Sequence, residues 1–93
     1  MAMTPKSYMS DAERTELRAG GMTENGICLA ESEAADQAGD DAAAWAWLAC
    51  AELSADSLLF LKDRHGAGFI RDMGFRTAKA DAAYGPSWLE HAS

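Results

Sequence analysis

Residues 42–50, AAAWAWLAC, form an uncharged run with two tryptophans two positions apart. On a helix, a step of two residues turns the side chain through roughly 200°. Trp45 and Trp47 therefore point in nearly opposite directions. A helix that is apolar all round its middle is either central to a core or meets a second surface. Trp47 shares its side with Ala43, Ala44, Cys50 and Ala51, which predicts a core residue. Trp45 lies beside Leu48 and Ala49, with Asp41 four residues before it and Glu52 seven after. That side reads as apolar in the middle and acidic at both ends. A contact patch has this form, because a tryptophan ring fills a pocket rimmed by polar groups.

The composition around this run points to helices throughout. The 93 residues include 20 alanines and 8 leucines but only 2 isoleucines, 4 threonines and no valine. Alanine is the best helix former, and strands favour the branched side chains this chain lacks. The expectation is all-α: a compact bundle of five to six short helices around an Ala-rich antiparallel hairpin. One domain over residues 10–90 is expected, with a flexible Met-rich segment over 1–9 and a tail at 91–93.

Start and stop signals divide the chain. In SDAERTEL, Ser10 and Glu13 have the spacing of a capping box, and Gly20-Gly21 ends that helix. Thr23 caps a second helix running to about Ala38, with an apolar stripe at Ile27, Ala30, Ala34 and Ala38 and Leu29 stranded among acids on the other face. Gly39 ends it. Asp40 or Asp41 starts the third helix, which carries the two tryptophans to about Leu53. A link this short makes an antiparallel hairpin, and the small residues around AGD resemble a single tetratricopeptide hairpin with no second copy at a fixed period. Ser54 caps ADSLLFLKDRH, which Gly66 and Gly68 break. FIRDMG, a helix capped by Thr77, and a Trp88-Leu89 anchor complete the chain.

All of the net charge falls in one half. Residues 1–53 carry Lys6, Arg14 and Arg18 against ten acidic side chains, whereas residues 54–93 carry five of each sign. An acidic surface repels phosphate backbones and attracts basic partners. Glu24, Glu31, Glu33, Asp36, Asp40 and Asp41 are expected to form one continuous negative face across the hairpin, with Trp45 and Leu48 as its apolar contacts. The partner would be a protein with a basic surface, with self-association into a homodimer as a further possibility. Small acidic proteins of phages and mobile elements resemble this chain in size and charge, though in no quotable motif. That resemblance implies an inhibitor or adaptor, such as one that blocks a CRISPR complex.

A second constellation is FIRDMGFRTAKADAAY, residues 69–84, which resembles the helix-turn-helix of phage repressors. Gly74 takes the turn, and Arg76, Thr77 and Lys79 open the reading helix. The pattern departs at Ile70, where the motif has a small residue, and Asp81 lies on the reading helix. That resemblance implies a DNA-binding regulator as the alternative function.

Catalytic, cofactor and metal sites are not expected. No carboxylate–histidine pair has ligand spacing, GAGF lacks the Lys-Ser/Thr of a phosphate loop, and Cys28 and Cys50 form no CxxC. Both thiols are expected to be reduced and at least partly buried. No run approaches the ~20 apolar residues of a membrane span, and the first twenty residues hold no signal-peptide core. A cytoplasmic protein is expected.

Overall fold

Side-chain caps start four of the six helices found among the described residues, which in this computed structural model are residues 5–90. Residues 1–4 of the expected flexible segment and the expected tail lie outside them. Ser10 begins α1 (Asp11–Ala19) with a full capping box: its Oγ accepts from the Glu13 amide at 3.1 Å, and Glu13 Oε1 accepts from the Ser10 amide at 3.0 Å. Thr23, Asp40 and Ser54 accept from the third amide of α2 (Glu24–Gln37), α3 (Asp41–Cys50) and α4 (Ala55–His65) in the same way. Two short helices, α5 (Ala67–Met73) and α6 (Ala78–Tyr84), precede a 3₁₀ turn at Trp88–Glu90. No strand occurs among the described residues, and the fold is all-α. No described helix is long and apolar enough to cross a membrane.

Several boundaries differ from expectation for local reasons. α3 ends at Cys50 rather than near Leu53, because Ala51 turns extended (φ −81°, ψ 156°) to begin the link to α4. Gly66 alone breaks α4, and Gly68 lies inside α5. Thr77 does not cap α6. At φ −114°, ψ 7° it lacks the extended geometry of a cap, and its hydroxyl donates to Asp81 Oδ2 at 3.2 Å instead.

The chain divides into two compact units, Met1–Ala51 and Glu52–Ser93. In the first, α2 and α3 form the most extensive helix pair of the chain. Gly39, in the left-handed region at φ 80°, closes the turn between them. The buried line of α2 is Ile27, Glu31 and Ala35, a spacing of four, and not the expected stripe, whose Ala30 and Ala34 are half-buried and whose Ala38 is exposed. With Ala43, Ala49 and Ala51 these residues form an interior of very small side chains around one carboxylate.

Trp47, expected in that core, is only half-buried. Alanines at the buried positions of α3 permit a close helix approach that leaves no room for an indole between the axes. The ring instead lies where its Nε1 donates to the Lys6 carbonyl at 2.9 Å.

In the second unit, α4 packs against both α5 and α6. Its buried stripe is Leu58, Leu61 and Lys62, joined by Ile70, Phe75, Ala80 and Trp88. Trp88, the expected anchor, is 2% exposed, and its Nε1 donates to Asp81 Oδ1 at 2.8 Å.

Candidate protein-binding groove

The antiparallel pairing of α2 and α3 brings two matching stripes side by side. α2 contributes Leu29, Ser32, Glu33 and Asp36, and α3 contributes Asp41, Ala44, Trp45 and Leu48. Each set follows the i, i+3, i+4, i+7 spacing that lines one helix face. Together they wall an open groove of about 530 Å³. Ser32 Oγ donates to the Ala44 carbonyl at 2.7 Å, pinning the two helices in register at mid-groove. Counting outward from the Gly39 turn, Asp36 lies level with Asp41 and Leu29 level with Leu48.

Leu29, stranded among acids on the helical wheel, thus acquires apolar company across the hairpin. It remains 40% exposed. Trp45 and Leu48 are half-buried. The Trp45 side is acidic at one end only. Glu52, expected to flank it, lies beyond α3 in the second unit, 3.8 Å from Lys79.

The six expected acids divide into two groups. Glu33, Asp36 and Asp41 are exposed and line the groove. Glu24, Glu31 and Asp40 are each engaged by a partner within the unit, and Glu31 is buried, so the continuous negative face is interrupted. Glu31 is 1% exposed, with Ser7 Oγ 2.7 and 2.8 Å from its two carboxylate oxygens and Arg14 Nη1 at 3.6 Å. A buried carboxylate needs such partners, because desolvation of an unpaired charge is costly.

Glu24 accepts from Arg18 Nε at 2.8 Å, which holds its carboxyl below the usual range. Asp40 accepts from the Tyr8 hydroxyl at 2.6 Å while capping α3. The Tyr8 bond first, and the Ala43 amide second, lower the Asp40 pKa, and the same bond raises that of Tyr8.

Electrostatically the groove is distinct from its surroundings. Arg14 pairs with Asp11 and Glu31, Arg18 with Glu24, and Lys6 sits over the Tyr8 ring at 4.9 Å. Among the described residues no lysine or arginine forms an ion pair with Glu33, Asp36 or Asp41. Three carboxylates with no ion-paired cation among the described residues therefore share the groove lining with Leu29, Trp45 and Leu48.

The strap formed by residues 6–8, expected to be flexible, makes specific bonds to Glu31, Asp40 and Trp47. Its Ser7-Tyr8 pair offered two adjacent hydroxyl donors, a signal that charge counting overlooks.

The expected DNA-reading residues have a different setting. Gly74, left-handed at φ 73°, does take the turn between α5 and α6. Thr77 is tied to Asp81, Lys79 stands near Glu52, and Arg76 is exposed. Carboxylates thus adjoin two of the three, where a phosphate backbone would meet repulsion. Cys28 is half-buried and Cys50 exposed, and neither is in a disulfide. The exposure of Cys50 departs from expectation because it is the last residue of α3, with no further turn to cover it. No group of three or more potential ligand side chains among the described residues could hold a metal. Comparison of the chain with protein-family models, curated proteins and solved structures returns no match.

Proposed function

We propose that this chain is a small protein-interaction module, an inhibitor or adaptor, that covers a basic surface of another protein with its α2–α3 groove. The observation that carries this reading is the meeting of Leu29, Trp45 and Leu48 with the unneutralised Glu33, Asp36 and Asp41. Apolar side chains supply affinity when they are desolvated, and the carboxylates set partner choice and association rate. Basic surfaces are commonest on nucleic-acid-handling proteins. Inhibition of such machinery, CRISPR complexes among it, is a use this chemistry suits.

Capture from a nuclease-treated lysate tests the reading, with the wild-type chain beside Trp45→Ala and the double variant Glu33→Lys/Asp36→Lys. The expected result is a basic protein retained by the wild type and lost by both variants. With the purified partner, charge reversal should slow association most at low salt. Retention that ignores both variants would remove the groove from the function.

A further inference from the structure

The groove is graded along its length, and the gradient specifies what can lie in it. This inference rests on the protein-binding reading above and adds the identity of the bound element. Leu29 and Leu48 stand at the open end of the hairpin, Trp45 and Glu33 in the middle, and Asp36 and Asp41 at the Gly39 turn. From Leu29 to Asp36 is seven residues, or about 10.5 Å of helix. Both walls carry helical ridges of the same spacing, so a third helix can seat its own ridge between them.

We propose that the groove binds an amphipathic helix of a partner protein. That helix places a large apolar side chain at the open end and lysine or arginine one and two turns along, toward the hairpin turn. The apolar anchor covers Leu29 and Leu48. The first cation meets Glu33 beside the Trp45 ring, whose face also attracts a cation. The second reaches Asp36 and Asp41.

A second copy of this chain fits less well. Its most exposed large apolar residue among the described residues is Phe60, 58% exposed with Arg64 stacked 5.5 Å from its ring. The same face of α4 also brings Asp56 and Asp63, so it carries more negative than positive charge to an acidic rim.

The test titrates the isotope-labelled 93-residue chain with three helical peptides of about four turns, followed by amide and indole chemical shifts. One carries a leucine with lysines at i+4 and i+7 on its face. A second has the same composition with the lysines moved to the opposite face, and a third replaces the lysines by glutamate. The patterned peptide should shift Leu29, Trp45 and Leu48 and bind at least about tenfold tighter than either control, with the gap closing as salt rises. The exposed pair Asp36→Asn/Asp41→Asn, which leaves Glu33 to the first cation, should reduce that preference while leaving the helical spectrum intact.

Equal binding of the first two peptides in the groove would overturn the graded pattern and leave the protein-binding reading standing. Failure of every peptide to shift the three residues overturns the helix-in-groove proposal, while lysate capture by the wild type and not its variants still reports on the broader reading. Groove shifts produced by raising the protein concentration alone would make a second copy the occupant and overturn it too.

Discussion

Among the described residues, the buried hydrophobic residues of the first unit are Ile27 and four alanines, whereas those of the second include Leu58, Leu61, Ile70, Phe75 and Trp88. The first unit has large apolar side chains of its own, but Leu29, Trp45 and Leu48 line its groove instead of its interior. The second keeps all but Phe60 and Tyr84 of its large hydrophobes at least half-buried. Burial of apolar surface is the main favourable term in folding. The first unit therefore forgoes part of it and leaves that surface partly exposed, whereas the second buries more of its large side chains.

The units are alike in how each uses its one buried charged residue among the described residues. Glu31 holds the N-terminal strap through the Ser7 hydroxyl, and Lys62 holds the C-terminal turn by donating to the Trp88 carbonyl at 2.8 Å. Each fixes a terminal segment over a helix pair or stripe, and each occupies a position where the helical spacing calls for an apolar residue.

The comparison can be broken most directly in the second unit. Trp88→Ala should cost roughly 3–5 kcal/mol by denaturant unfolding, the penalty for emptying a large buried site. A loss below about 1 kcal/mol would mean that this interior is not the stronger one. In the first unit the largest loss should come from a polar contact. Ser7→Ala leaves the Glu31 carboxylate without its hydroxyl donor and should cost about 1–3 kcal/mol, with Ser7→Thr restoring most of it.

The two tryptophans sharpen the contrast within one helix. Trp47→Ala removes a half-buried ring and its bond to Lys6, which should lower stability by about 2 kcal/mol. Trp45→Ala should change the stability of the isolated chain by less than about 1 kcal/mol, yet weaken partner binding by roughly 2 kcal/mol. Equal destabilisation by both would return Trp45 to the interior and remove the groove's centre.

The smallest effect is that of pH on the strap. The Tyr8–Asp40 bond requires an ionised carboxylate and a protonated phenol. The Asp40 pKa is lowered on folding, so its contribution is complete above the unfolded value, near pH ~4, and is lost as pH falls through the folded value. The Tyr8 pKa is raised, so its contribution is complete below about pH 10 and is lost as pH rises through the folded value. Melting temperatures of the wild type and Tyr8→Phe should therefore differ across neutral pH and converge toward both extremes.

Local chemistry made the helices legible without tertiary information. The Ser10–Glu13 box, the caps at Thr23, Asp40 and Ser54, and the left-handed glycines at 39 and 74 act over three or four residues, within reach of sequence spacing. Trp45, Leu48, Glu33, Asp36 and Asp41 were each expected at a partner surface, from the turn of α3 and from charge, but spacing did not bring them into one groove. What only the tertiary structure decided is which side of α2 faces inward and what closes over it. A glutamate and a lysine look like solvent-facing residues until a hydroxyl or a carbonyl from a distant segment arrives to satisfy them. Leu29 looked stranded until α3 placed Leu48 opposite it. Those partners lie 19 to 26 residues away along the chain, a separation that helical periodicity cannot encode and that only packing resolves.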